Sequence, residues 1–550
     1  MSESDLKDAM LGSGARNRGQ QTSMKKFVSK VYNFIDAIQT YFVETALFFF
    51  FLARHMSLPL FQEYVESEIY SQHGVPFPGF GLETERANLS DPARDEAHHE
   101  SILVVLGLQI AEGLPAIVVV IILGAVSDKT GRHKILLWLP ALGSCLHSLI
   151  YIFILYTKWN IDGLFLAAAF RGLSGSMTAF LAGASFYAIN SVKPDQRLNR
   201  LAVQELLNGG AYAVGNIMVG FWVKDVGFLK PFWFTLICSL IAFLISFFLV
   251  METKNSSSIR SQENSHRSRR IQRQEATNFI SDTFGPMVKY LKCIGNSTLA
   301  KIWLAILVFQ TYAFVHIGQI NTLVLYLSQQ EYLFAEDNTI TGAGPWAKIG
   351  LFLAVIMAVA AVATGVCIPI FQKFTSDTNI MVLGFVSKAL GTLWIAVVRN
   401  DTLLYFAILL LAFELFPFPI LRAKVAKNVN PAEQGTVFAM MHCGESITYF
   451  LAPFVFSAIY ASSLYFYSSF VFIVSILLLI LPAALLIALW CVEVKWPGEY
   501  QQMDDTLTAD QAQPVASSIN QSEFQEQEAV LSPTEPISFI QLTRGNSSNV

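Results

Sequence analysis

Charge is scarce in this chain. Charged residues fill 14% of its 550 positions, against about 25% in an ordinary soluble domain. The hydrophobic fraction is 53% and the mean hydropathy +0.47. That much apolar surface does not fit one water-soluble core, so a lipid bilayer must solvate most of it. An excess of basic charge is also missing. The balance of 37 Lys and Arg against 41 Asp and Glu leaves a net charge of −4 and argues against a nucleic-acid partner. The six cysteines (Cys145, Cys238, Cys293, Cys367, Cys443 and Cys491) form no CxxC pair and no metal-ligand spacing, and read as small packing residues. There is no nucleophile–base pair, phosphate loop or metal constellation, so neither an enzyme nor a bound cofactor is expected. The first 30 residues lack the apolar core of a cleavable signal peptide.

What is present is a series of apolar runs. A bilayer span needs about 20 such residues, and twelve candidates start near residues 36, 101, 135, 161, 200, 231, 302, 346, 380, 402, 435 and 464. Most of the 37 basic residues fall in alternate connections, which by the positive-inside rule places both termini in the cytosol. The expected division is a cytosolic tail over 1–35, a six-helix bundle over 36–251, a basic linker over 252–301, a second bundle over 302–491 and a cytosolic tail over 492–550. The loop at about 61–99 would be external, and it holds the glycosylation sequon Asn88-Leu-Ser.

The two halves carry related signals. Val192-Lys-Pro194-Asp-Gln196 follows span four, and Val429-Asn-Pro431-Ala-Glu-Gln434 follows span ten. Between spans two and three stands GAVSDKTGRHK, Gly124 to Lys134. Basic residues mark an inside loop, but topology alone does not explain the order Gly-x-x-x-Asp-x-x-Gly-Arg-His-Lys. That order resembles the loop signature of the major facilitator superfamily. Gly131 permits a tight turn, Asp128 can face the positive end of a helix from the other half, and Arg132 can pair with acidic groups at the same seam. The resemblance implies a latch, Asp128, Gly131 and Arg132, that holds the cytoplasmic side shut in one of two states. The fold expected is therefore an all-α membrane protein of twelve transmembrane helices in two six-helix bundles.

Several segments narrow the likeness. VETALFFFFLARHMSLPLFQEYV, RLAVQELLNGG, LKPFWFTL, FVHIGQINTLVLYLS and PFPILRAKVAKNVNPAEQG resemble, in this order, segments of solute carrier family 46, which holds proton-coupled folate and haem-carrier-like proteins. The resemblance implies proton coupling at Glu205 and His316, and substrate or proton interaction at Arg422. The chain departs from the pattern in several places. Thr45 replaces a proline, Asn190 replaces an aspartate, the first external loop lacks cysteine, and a second functional histidine has no counterpart. Kinship is therefore better supported than folate specificity.

Ionisable residues inside spans point to function without help from resemblance, since each costs about 2.5–3.5 kcal/mol at mid-membrane by insertion scales. Glu44, Glu112, Arg171, Glu205, His316, Lys388, Glu414 and Glu445 are such residues. Arg171, Lys388, Arg422, Glu44 and Glu445 are the candidate substrate contacts. Fixed structural ion pairs remain the alternative for Arg171 and Lys388. Arg54 reads as a residue near the outer end of span one that reaches back to water. The function expected is secondary transport of a small organic solute, with protons as the coupling ion, by alternating access. An uncoupled carrier of the same fold and a non-transporting nutrient receptor are the alternatives. The setting is a plasma or endolysosomal membrane.

Overall fold

The computed structural model describes residues 41–75, 92–252, 297–329, 345–463, 467 and 469–496. Asn88, most of the 252–301 linker and both tails lie outside the described residues. Helices occupy nearly all of the rest: α1 Tyr41–Gln72, α2 Pro92–Thr130, α3 Ile135–Thr157, α4 Gly163–Leu173, α5 Ser176–Asn190, α6 Arg197–Val226 and α7 Leu229–Leu244. After the linker come α8 Ser297–Gln329, α9 Pro345–Phe371, α10 Asp377–Val397, α11 Asp401–Leu404, α12 Phe406–Leu410, α13 Pro417–Lys427, α14 Gln434–Ser463 and α15 Phe470–Lys495.

Counting α4–α5 as one interrupted pass and α11–α13 as another, these helices make the twelve passes of two six-helix halves. Among the described residues ten passes are long and apolar enough to cross a membrane. The other two, α6 and α11–α13, are more polar. Their ionisable residues Glu205 and Arg422 are turned inward against the opposite half, where lipid does not meet them.

The first pass is longer than the sequence reading allowed. A loop was expected from about residue 61, yet α1 continues to Gln72. The reason is an amphipathic pattern among polar residues: Phe61, Tyr64, Val65, Ile69 and Tyr70 recur at helical spacing and are all buried.

Passes four and ten, which correspond in the two halves, are both broken. In pass four Gly175 (φ 91°) and the non-glycine Ser176 (φ 50°) take left-handed conformations. Ser176 is held there by donating its hydroxyl to Glu112 Oε1 at 2.6 Å. In pass ten the stretch between α12 and α13 loses regular helical bonding, and side chains take up the freed backbone groups. Tyr312 donates to the Glu414 carbonyl, and Ser387 Oγ accepts from the Phe413 N–H at 3.2 Å. The matching Pro194–Gln196 and Pro431–Glu433 segments each form a short 3-10 turn that leads into the next long helix.

The halves meet most extensively along two helix pairs, α6 with α9 and α2 with α14, and α14 also packs on α5 and α13 on α6. Small residues set the second approach. A Cβ on Gly124 would come within 2.2 Å of Ala439 Cβ, and one on Gly435 within 2.3 Å of Asp128 Oδ1. Asp128 at the end of α2 therefore reaches the start of α14. It accepts from the Gly435 N–H at 3.0 Å, the Thr436 N–H at 2.5 Å and the Thr436 hydroxyl at 2.7 Å. A carboxylate on a helix N-terminus is favoured by hydrogen bonding and by the helix dipole together. Gly131 turns the chain with φ 66°. Arg132 is exposed and lies within electrostatic reach of the carboxyl of Glu252. His133 is buried and stacked on Phe186 at 3.8 Å. Burial pushes its imidazole down to about 4, so it is neutral beside Asp128 and adds no charge there. Asn190 completes this end with an uncharged bond across the halves, donating to Gln434 Oε1 at 3.0 Å.

Cys443 sits in the same seam, buried against the Ile117 carbonyl, and reports on its opening. In a background with the other cysteines replaced, Asp128→Ala removes about 1–2 kcal/mol of contact and raises the maleimide-labelling rate of Cys443 by about tenfold. Gly124→Leu, which forces α2 off α14, does the same. An unchanged rate in both variants contradicts this account of the seam.

Candidate functional site

A cavity of about 300 Å³ opens between the halves. Both helix breaks reach its wall, with Ser176, Met177 and Thr178 on one side and Leu415 and Phe418 on the other. Interrupted helices at matching places in two repeats are where transporters of this build expose backbone and polar side chains to a solute. Aromatic side chains, among them Tyr212, Tyr449, Phe450 and Phe418, supply much of the remaining lining.

Four sequence candidates are brought together at this cavity: Glu205, His316, Arg422 and Glu445. Glu205 on α6 and Arg422 on α13 form a short charge-assisted hydrogen bond that crosses from one half to the other. Arg422 also lies over the Phe309 ring, 5.6 Å from its centroid. Glu445 on α14, one turn beyond His442, accepts from that histidine at 2.6 Å and interacts electrostatically with both Arg422 and Glu205. His316 shows one face to the cavity while its Nδ1 lies 3.3 Å from Lys388 Nζ and 3.6 Å from Glu414 Oε2.

Three other candidates lie off the cavity. Lys388 is paired with Glu414 at 2.7 Å, and each side chain is 1% exposed. Arg171 is buried behind the wall, donating to Ser57 Oγ at 2.9 Å and Ser144 Oγ at 3.3 Å, with Glu112 4.0 Å away. Glu44 is paired with Arg200 at 2.8 Å. None of the three lines this cavity.

The sequence reading missed Arg54, and the structure corrects it. Because α1 runs on to Gln72, Arg54 is well inside the helix rather than near its end. It faces the cavity and pairs with Glu112, its two terminal nitrogens 3.2 and 3.3 Å from the two carboxylate oxygens. His55 and Asn208, joined at 3.0 Å, line the same wall. The available signal was the buried spacing of Phe61 to Tyr70, which would have lengthened span one and moved Arg54 inward.

The family model of the Major Facilitator Superfamily matches residues 45–413. The chain is 24% identical over 468 residues to the lysosomal proton-coupled steroid conjugate and bile acid symporter SLC46A3 of Gallus gallus, covering 83% of this chain and 95% of that protein. It is 26% identical over 368 residues to the proton-coupled folate transporter of Rattus norvegicus, covering 66% and 74%. Among solved structures, the human organic anion transporter MFSD10 superposes with TM-score 0.58 at 15% identity, covering 82% of this chain and 99% of that one. The proton:xylose symporter XylE superposes with TM-score 0.57 at 12% identity, covering 83% and 95%. Those two likenesses bear on the fold alone. The relatives belong to solute carrier family 46, the family that the five quoted segments resemble. Helical passes in two halves, a polar cavity between them and a family model that covers most of the length together place this chain in the Major Facilitator Superfamily, as a multi-pass secondary transporter.

Proposed function

We propose that this protein is a proton-coupled symporter of amphipathic organic anions. The observation that carries the reading is the Glu205–Arg422 pair, which spans the two halves at the wall of an aromatic and polar cavity. A pair so placed responds to protons and to rigid-body motion alike. Protonating Glu205 removes its charge, frees Arg422 from it and loosens one of the ties between the halves. Glu445 and Tyr449 face the same pair from α14. His316, beside Lys388 and Glu414, is the second proton-responsive group at the wall. Asp128, at the end of α2 and bonded to the start of α14, serves as the latch at one end, and its contacts break when the halves rock. The relatives' names speak of steroid conjugates, bile acids and folate, which share a flat or rigid ring system with an anionic group. The aromatic lining suits such a ring system. The lysosomal relatives, which match over most of this chain, favour an endolysosomal membrane with solute leaving an acidic lumen, and the placing of basic residues in alternate connections favours cytosolic termini.

Lys388 and Glu414 are assigned a structural role. Breaking a buried pair leaves an uncompensated charge and costs about 3–5 kcal/mol, whereas replacing both partners by apolar groups is close to neutral. Lys388→Met alone therefore lowers the thermal stability of the purified protein strongly, and Lys388→Met with Glu414→Leu restores most of it. Equal stability of the single and double variants contradicts the assignment.

Uptake into proteoliposomes tests the coupling, with estrone sulfate, taurocholate and folate as solutes. At an outer pH of about 5.5 uptake exceeds that at about 7.5, bracketing the range where histidine and perturbed carboxyls titrate, and a protonophore abolishes the difference. Glu205→Gln keeps some uptake but loses its pH dependence. Uptake indifferent to pH and protonophore in the unaltered protein identifies an uncoupled carrier instead.

A further inference from the structure

The charges around the cavity balance in number but not in place. Counting histidines as neutral, the cations at or next to the cavity are Arg54, Arg171, Arg422 and Lys388, and the carboxylates grouped with them are Glu112, Glu205, Glu414 and Glu445. Lys388 and Glu414 cancel one another off the cavity. At the seam formed by α6, α13 and α14, two carboxylates, Glu205 and Glu445, share one arginine, Arg422. On the wall formed by α1, α2 and α4 the reverse holds, and Arg54 and Arg171 share the single carboxylate of Glu112. Gly172 fixes that second grouping, since a Cβ there would come within 2.3 Å of the Glu112 carbonyl, so α4 presses Arg171 towards Glu112.

An unbalanced positive charge inside a membrane protein is costly unless water or an anion reaches it. Of the two arginines on this wall only Arg54 reaches the cavity. Arg171 spends its donors on Ser57 and Ser144 and is 3% exposed, whereas Arg54 is 17% exposed. Two of the five guanidinium donors of Arg54 face Glu112, and among the described residues no other side chain takes the remaining three. Ser176 and Gln109 line the cavity on the same wall. Arg422, by contrast, is already matched by Glu205, with a second carboxylate beside it.

Resting on the transport reading above, we infer that the anionic group of the solute, a sulfate, sulfonate or carboxylate, is received by Arg54 on the first-half wall. The ring system then lies towards Tyr212, Tyr449 and Phe418, across the seam that Arg422 occupies. Arg54 is thus a specificity-determining residue for charge, and Arg422 serves the coupling pair. Protonating Glu205 leaves the excess at Arg54 untouched, so a loaded proton and a bound anion occupy separate places in one cavity.

The test uses the full-length purified protein and two charged–neutral pairs, estrone sulfate with estrone and folate with its dimethyl ester, read by ligand-induced thermal stabilisation and by proteoliposome uptake. The unaltered protein favours the charged member of at least one pair by about tenfold or more in apparent affinity, the size of one charge-assisted contact. Arg54→Gln abolishes that preference while the neutral member still binds. Arg54→Gln with Glu112→Gln removes both charges of the pair, avoids stranding a buried carboxylate, and does the same. Arg54→Lys retains a large part of the preference. Full charge preference in the double variant overturns the inference and leaves the transport reading standing. An unaltered protein that neither binds nor moves any of the four solutes overturns both.

Discussion

A charge held in a low-dielectric interior must find a partner or water, and most of what is particular to this transporter follows from how that demand is met. Eight acidic and basic side chains besides the histidines sit in and around the cavity, and they are met in two ways. Lys388 with Glu414 is a closed pair, each member almost wholly enclosed, and its Coulomb energy goes into holding α10 against the broken pass ten. Glu205 with Arg422 is a different kind of pair, because its members stand on helices from opposite halves and border open space. The first kind resists motion. The second is sensitive to it, since separating the halves and protonating the carboxylate both weaken the same bond.

The interrupted passes serve the same demand. A continuous helix satisfies its own backbone and presents only side chains. A break leaves polar backbone groups that must be capped, and here the caps are functional neighbours. In pass four Ser174 donates to the Arg171 carbonyl and Thr178 to the Gly175 carbonyl, and in pass ten Tyr312 donates to the Glu414 carbonyl. Each break also has a carboxylate at it, one per half, Glu112 accepting from the Ser176 hydroxyl and Glu414 standing within the pass-ten break, and the cavity opens between the two breaks. The glycine-lined seam of α2 and α14 closes one end of this arrangement. There the charge of Asp128 is taken up by backbone N–H groups rather than by a counter-ion, so the contact releases without stranding an arginine.

Much of this was legible in order along the chain. Apolar runs located the passes, the Pro-containing turns after passes four and ten marked the duplication, and GAVSDKTGRHK marked the α2–α3 turn. Of the eight in-span ionisable residues named from the sequence, seven stand at or beside the cavity, and the eighth, Glu44, pairs with Arg200 away from it. What the chain order did not convey was partnership. Arg171, Lys388 and Glu44 carried the same signal as Glu205 and Arg422, a charge in an apolar run, yet they face neighbours rather than the cavity. Arg54 was misplaced for a local reason: the polar residues between Phe61 and Tyr70 hid a further stretch of helix, so its depth was underestimated.

Composition and periodicity alone settled that this chain lives in a bilayer, crosses it as helices and repeats its plan, because those properties depend on the solvent that each segment requires. Which charges meet each other and which meet open space was decided only by tertiary packing. Electrostatic pairing acts over a few ångströms between residues far apart in the chain, and no one-dimensional pattern encodes the face that each helix turns to its neighbour.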